Sequence, residues 1–228
     1  MEHDATQELA QMRALADPAH AAKIAAQHKS GRETLGLRPA QIDTLVAEWR
    51  AARDVDGRVA LADALWKADL HEARIAAAKL LTQARIRPDE GVWALIEAWV
   101  PQLDGSALAD AVSAAGQRRV TAERLPAMLA WAAHPNPWAR RSLLTMTQPL
   151  ARMPHPKPVD LALRDQVLDA AAPLAGAGHG AIQQALGAWL RDLARRDPAR
   201  AEAFAAAHGL KPAARRAAGL PQAPEAER

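Results

Sequence analysis

One carboxylate in this sequence stands where its side chain could do chemistry. Asp110 lies in the run 103–117, LDGSALADAVSAAGQ, which is rich in helix formers after Gly105. Ser106 is the predicted N-cap of that helix. On a 3.6-residue period, the polar residues share one stripe, which consists of Ser106, Asp110, Ser113 and Gln117. The stripe is typical either of a carboxylate presented to a ligand or of an ordinary solvated helix face.

The composition predicts the kind of fold that must position this carboxylate. Half of the 228 residues are apolar, Ala and Leu supply most of these, and there is one Phe and no Tyr. Such a chain favours helices over an extensive sheet. The absence of Cys excludes disulfides, thiolate metal sites and cysteine-bound iron–sulfur clusters. No apolar run reaches the roughly 20 residues of a membrane span, and the N-terminus does not resemble a signal peptide, so we expect a cytoplasmic protein.

Charge is distributed unevenly along the chain. Residues 1–110 carry 13 Lys+Arg and 17 Asp+Glu, a net charge of −4, whereas residues 111–228 carry 16 and 9, a net charge of +7. This asymmetry is consistent with a second half that faces a polyanion, and equally with Arg residues that keep the protein soluble.

Pro and Gly breaks divide the chain into ten to twelve predicted helices and no strand. The predicted helical segments are 4–28 with a break at Asp17-Pro18, 39–53, 56–67, 69–84, 90–100, 106–117, 121–133, 138–148, 159–174, 180–196 and 198–208. They pair at intervals of about 35–40 residues, a period typical of HEAT-type solenoids. We therefore predict one HEAT-like helical-repeat domain over residues 1–210, followed by a flexible tail over 211–228.

The predicted helix over 138–148 has two distinct faces. Ala139, Leu143, Met146 and Leu150 form one stripe, and Trp138, Arg141, Thr145 and Gln148 lie roughly opposite. The stripes that contain Asp110 and Arg141 are therefore candidates to line the concave groove of a solenoid. Trp138 and Trp189 both adjoin Arg clusters, so groove contact and core packing remain equal alternatives for them. The other five Trp residues are predicted to be core.

Familiar catalytic and metal-binding motifs are absent from the sequence. It contains no Walker A loop, no Gly-x-Gly-x-x-Gly after a strand, no His-Glu-x-x-His and no Gly-x-Ser-x-Gly. The eight His residues are scattered, so we predict no metal site. His71 and His208 are predicted to be structural.

Several stretches of the sequence together resemble one known family. They span about residues 20–216 and follow one another in the same order as in that family. They are 28–37, which ends in Leu35-Gly36-Leu37; Leu65-Trp66 with His71-Glu72-Ala73-Arg74; 99–110; Asn136-Pro137-Trp138-Ala139-Arg140-Arg141; and 182–192. This set is similar to the DNA alkylation repair family, the HEAT-like alkylpurine DNA glycosylases (AlkD-like).

The resemblance implies an α–α superhelix that holds duplex DNA in a basic concave groove and excises cationic alkylated purines. It places the catalytic residues at Asp110 and Arg141, where Arg141 is favoured over Arg140 as the groove arginine. The DNA-binding residues expected from the resemblance and the charge distribution are Ser106, Arg118, Arg119, Trp138, Arg140, Trp189, Arg191 and Arg195. The expected partner is double-stranded DNA carrying alkylated bases, bound by a monomer with no cofactor, metal or membrane.

The sequence departs from the family pattern at three places. Ser106 stands where the family has a groove Trp, Gln184 stands where Lys is common, and no aromatic residue occupies Gly180-Ala181. Two alternatives to a glycosylase therefore remain: a non-catalytic DNA-binding relative, favoured by Ser106, and a protein–protein scaffold, the commonest use of helical repeats.

Overall fold

The computed structural model of this protein describes residues 4–28, 31–83 and 85–220, and the regular secondary structure among them is helical. Those residues form 13 α-helices and no β-strand, which confirms the all-α prediction. No helix among them is long and apolar enough to cross a membrane. The chain divides into two compact units, Met1–Arg119 and Val120–Arg228. Residues 29 and 30 of the first family-like stretch and 221–228 of the predicted tail lie outside the described residues.

The first unit contains seven α-helices. They are α1 Thr6–Ala14, α2 Pro18–His28, α3 Pro39–Ala51, α4 Val55–Lys67, α5 His71–Leu80, α6 Glu90–Trp99 and α7 Ser106–Gly116. The break predicted at Asp17-Pro18 is confirmed, because Pro18 opens α2. The Asp17 carboxylate accepts a hydrogen bond from the backbone N–H of His20 at 3.0 Å, and this bond holds the pKa of Asp17 below its ordinary value.

Two stacked indole rings organise the core of the first unit. The rings of Trp66 and Trp99 lie 4.3 Å apart between centroids and 6° from parallel. The Arg74 guanidinium lies 4.6 Å from the centre of the Trp66 ring and is paired with Asp69 at 2.8 Å. Burial lowers the pKa of Arg74 to about 10. Of the five Trp residues predicted to be core, four are buried and one, Trp93, is half-buried.

The second unit contains six α-helices. They are α8 Leu125–Ala130, α9 Pro137–Arg152, α10 Pro158–Ala171, α11 Gly180–Ala194, α12 Pro198–Ala207 and α13 Pro212–Ala218. Asn136 caps α9 by accepting a hydrogen bond from the backbone N–H of Trp138 at 2.9 Å. All four members of the predicted apolar stripe of α9, from Ala139 to Leu150, are buried.

Two helix boundaries in the second unit differ from the prediction. The segment predicted as one helix over 121–133 is α8 followed by a 3₁₀ turn, Trp131–Ala133. Helix α9 continues through Pro149 to Arg152, although Pro149 was expected to end it. Proline removes a backbone hydrogen bond from a helix interior. Here Leu150 and Ala151 are both buried, and this apolar packing stabilises the helix beyond the proline.

Part of the predicted flexible tail is a packed helix. In α13, Ala214 and Ala218 are buried, and Gly219 ends the helix with a positive φ of 69°. Helix α13 packs on α11 at Gly187, where a Cβ atom would lie 2.5 Å from Cβ of Ala217 and 2.9 Å from the carbonyl oxygen of Ala214. The two backbones therefore approach closely only because residue 187 has no side chain.

We predict that Gly187→Ala weakens the docking of α13. Overpacking at such a contact costs about 1–3 kcal/mol, because one helix must shift. Thermal unfolding and proteolysis near residue 211 measure the effect. Gly178→Ala is the matched control, because a Cβ atom there would meet nothing within 4 Å. Equal stability of the two variants would contradict this account of the α11–α13 contact.

Candidate functional site

Helix α7 presents Asp110 to solvent. Gly105, in an extended conformation with φ −168° and ψ 165°, precedes the helix as its N-cap. Ser106 is therefore the first helical residue and makes no side-chain cap, which corrects its assignment as N-cap. Ser106 and Asp110 are both exposed, whereas Ser113 is buried. The exposed polar stripe is thus shorter than the sequence pattern predicted.

One wall of a pocket in the first unit is formed by α7. Ala107, Asp110, Ala111 and Ala114, spaced three and four residues apart, line it. The opposite face of the helix is buried, with Leu108 and Val112 fully inaccessible. The alanines leave space beside the carboxylate, so a ligand can approach Asp110 closely.

Helices α2, α3 and α5 form the other walls of this pocket. From α3 come Ile42, Asp43, Val46 and Arg50, from α5 come His71, Glu72, Ile75 and Lys79, and from α2 come His20 and Ile24. The cavity volume is about 750 Å³. This size is within the range of small-molecule sites, and more than half of the lining residues are apolar.

Charges of both signs line the pocket. Three carboxylates (Asp43, Glu72 and Asp110) and two cations (Arg50 and Lys79) line it, so the pocket of the first unit is not predominantly basic. Lys79 Nζ lies 2.6 Å from Asp43 Oδ1. Among the described residues, no group of His, Asp or Glu side chains is arranged to hold a metal ion.

Glu72 anchors the loop that borders the pocket. Its carboxylate is 1% exposed and accepts hydrogen bonds from the backbone N–H groups of Leu35, Gly36 and Leu37 at 3.0, 2.7 and 3.2 Å. The Thr34 hydroxyl donates to the same carboxylate at 2.6 Å. Glu72 is therefore occupied by the loop and is structural rather than catalytic.

Gly36 allows that loop to pass close to α2. Its φ is +82°, and a Cβ atom would lie 2.2 Å from the carbonyl oxygen of Asp17 and 2.6 Å from the backbone nitrogen of Ala21. His20 Nδ1 lies 2.7 Å from the Gly36 carbonyl oxygen. The Leu35-Gly36-Leu37 stretch thus ties α2 to the N-terminus of α5.

In the second unit, Arg141 and Trp138 lie together on α9. Both side chains are half-buried, as is Arg140. The Arg141 guanidinium lies 5.9 Å from the centre of the Trp138 ring, and the His179 ring meets Trp138 edge-on at 5.4 Å. An Arg near an aromatic face is an arrangement that can contact a nucleic-acid backbone or base.

Two predicted DNA-contacting residues are buried instead. Arg119 is 1% exposed, and its guanidinium donates to the carbonyl of Gln83 at 2.7 Å and lies 3.5 Å from Asp89. Trp189 is 1% exposed in the core of the second unit. Neither side chain can reach a phosphate from these positions, so packing explains both.

The remaining predicted contacts lie on the surface. Arg118, Arg191 and Arg195 are exposed. Arg195 is 4.0 Å from Asp192, which also accepts a hydrogen bond from Gln148 at 2.8 Å. Sequence reasoning missed His20, Arg50 and Lys79 as pocket residues. For Arg50 and Lys79 the available signal was helical spacing, because Asp43, Val46 and Arg50 share one face of α3, and Ile75 and Lys79 share one face of α5.

A comparison with protein families covers almost the whole chain. Residues 9–219 match the model of a family described as DNA alkylation repair enzyme. The chain belongs to this DNA alkylation repair enzyme family. Family membership indicates an enzyme with a role in DNA repair, and every candidate site residue lies within the matched range.

A solved structure shares the fold of this DNA alkylation repair family member. It is a protein from Enterococcus faecalis described as a predicted DNA alkylation repair enzyme, with a TM-score of 0.69 and 22% sequence identity. The alignment covers 90% of this chain and 95% of the other. No curated protein sequence matches the chain.

We predict that Glu72→Gln destabilises the first unit of this family member. A glutamine places an N–H₂ donor against at least one backbone N–H, and each unsatisfied buried donor costs about 1–3 kcal/mol. Chemical denaturation measures the loss. Glu33→Gln is the matched control, because that side chain is exposed on the same loop. A Glu72→Gln protein as stable as the control would show that the carboxylate does not anchor the loop.

Proposed function

We propose that this protein is a DNA glycosylase that binds alkylated duplex DNA and hydrolyses the N-glycosidic bond of cationic N3- and N7-alkylpurines. The observation that carries the proposal is the exposed Asp110 on a pocket wall, in a chain of the DNA alkylation repair enzyme family. The proposal requires no cofactor or metal, and we take the protein to be a cytoplasmic monomer.

The chemistry suits a single carboxylate. An alkylated purine already carries a positive charge, so it leaves with the electron pair of the glycosidic bond and without a general acid. The sugar then develops oxocarbenium character at C1′. Asp110 stabilises this charge and orients the water whose oxygen forms the new bond to C1′, while the water proton passes to the carboxylate or to solvent. A second carboxylate, used by most glycoside hydrolases, is not needed.

We further propose that the helices form a HEAT-like superhelix whose concave surface follows the DNA backbone. The charge distribution supports this, because residues 120–228 carry 14 Lys+Arg and 9 Asp+Glu. The proposed phosphate contacts are the exposed or half-buried Arg118, Arg140, Arg141, Arg191 and Arg195. Trp138 is proposed to contact the nucleic acid beside Arg141.

A second candidate function is that of a non-catalytic DNA-binding relative. Ser106 favours it, because this small exposed residue lies one helical turn before Asp110, where a Trp face would otherwise share the stabilisation of the sugar. Salt-dependent duplex binding distinguishes both DNA-binding candidates from a protein–protein scaffold, and base release distinguishes the glycosylase from the binder.

We predict that Asp110→Asn lowers single-turnover excision of N7-methylguanine from duplex DNA by about 10²–10³. DNA affinity stays the same or rises slightly, because one negative charge is removed. Asp169→Asn controls for net charge, since Asp169 is exposed on α10. An unchanged excision rate in a folded Asp110→Asn protein would falsify the catalytic assignment.

We predict that Ser106→Trp raises the excision rate modestly. The new ring shares a helix face with Asp110, four residues on, and can flank the same nucleotide. Ser106→Leu is the matched control, since it adds bulk without an aromatic face. A Trp variant no faster than the Leu variant would indicate that another aromatic residue serves the sugar. If neither the wild type nor the Trp variant releases base, the non-catalytic function replaces the glycosylase.

A further inference from the structure

Two cationic side chains face the pocket of the first unit from neighbouring helices. Arg50 projects from α3 and Lys79 from α5, and both line the cavity that Asp110 also lines. The first 110 residues carry a net charge of −4, so the distribution of charge along the sequence gave no reason to look for an anion site there.

The Lys79 ammonium on α5 is held by an acid on the neighbouring helix α3. Its partner, Asp43, lies 2.6 Å away, and the two side chains are 33% and 60% exposed. Ion pairs this accessible contribute little to folding stability. The pair is therefore open to exchange, since an incoming anion can replace Asp43 as the partner of Lys79.

The Arg50 guanidinium has little compensation for its charge. One nitrogen donates to the backbone carbonyl of Lys79 at 2.6 Å, while Nε is buried without a hydrogen-bond acceptor among the described residues. Burial lowers the pKa of Arg50, the neighbouring Arg58 lowers it further, and Asp43 acts in the opposite direction. Asp43 is thus the acid that acts on both cations.

We propose that Arg50 and Lys79 bind a backbone phosphate of duplex DNA, and that Asp43 competes with that phosphate for Lys79. This inference rests on the duplex binding of the proposed function. Two cationic side chains on adjacent helices can contact the negatively charged oxygens of one phosphodiester. Each such phosphate contact releases condensed counterions from the DNA. In the free protein, Asp43 neutralises the charge of Lys79. In the DNA complex, the Asp43 carboxylate repels the bound phosphate.

The competition lowers the affinity for damaged and undamaged DNA alike. A backbone contact contributes the same free energy at every sequence, so an acid that weakens it lowers affinity for undamaged DNA. The difference in binding free energy between a damaged and an undamaged duplex stays the same, because the same contribution is removed from both. Asp43 therefore limits non-specific binding.

Fluorescence anisotropy with a labelled duplex, with and without one N7-methylguanine, tests the proposal over a range of salt concentrations. Asp43→Asn is compared with Asp63→Asn, which removes an acid from an equivalent exposed ion pair, Asp63–Lys67 at 2.7 Å, away from the pocket. We expect Asp43→Asn to bind both duplexes about 1.5- to fivefold more tightly than Asp63→Asn, the range for one exposed ion pair.

Lys79→Gln supplies the second arm. It should weaken binding and reduce the slope of log K against log salt by about 0.9, the value for one lost phosphate contact. In the double variant, Asp43→Asn should add no more affinity than Asp63→Asn does. An excess of inorganic phosphate at constant ionic strength should leave duplex binding unchanged. Specific displacement of the duplex by phosphate would instead identify free phosphate as the occupant and overturn the backbone assignment.

The outcomes separate this inference from the proposed function. Equal affinities for Asp43→Asn and Asp63→Asn, or an Asp43→Asn gain that persists without Lys79, contradict the competition. Duplex binding with the expected variant effects but without base release contradicts the glycosylase and leaves the phosphate site intact. A wild-type protein that does not bind duplex DNA contradicts both.

Discussion

The buried carboxylate of Glu72 is the constraint on which the first unit depends. An ionised side chain that is 1% exposed must be compensated, and here the backbone N–H groups of three successive loop residues do so. Because these donors belong to the connection between α2 and α3, the single interaction holds two helices against α5. The walls of the Asp110 pocket are consequently set by a hydrogen-bonded anion and by the glycine that lets the loop pass α2.

The three acids that line this pocket differ in how far they are buried and in what surrounds them. Glu72 is saturated by donors and Asp43 is paired with Lys79, so both have partners that explain their positions. Asp110 is exposed on α7 and lines the pocket together with three alanines of the same helix. In a chain of the DNA alkylation repair enzyme family, we propose that this exposed carboxylate stabilises the positive charge that develops on the substrate.

Local sequence determined most of the secondary structure and the two faces of α9, because helix formers, prolines and 3.6-residue spacing act over a few residues. It also identified Asp110 as an exposed acid on a helix. It did not reveal the effects of distant packing. Helix α9 continues past Pro149, where Leu150 and Ala151 are buried, and α13 is packed rather than flexible because Gly187 lets it lie close to α11.

The candidate site shows the same division between what the sequence determined and what only the tertiary structure decided. Arg119 and Lys79 are both cations near the end of a helix, and nothing in their local sequence tells them apart. Arg119 is buried because carbonyl oxygens from residues 81 and 83 converge on it, whereas Lys79 faces the pocket because Asp43 lies across from it on α3. The type and periodicity of a residue follow from the sequence. Its exposure depends on which distant groups the fold brings within hydrogen-bonding distance.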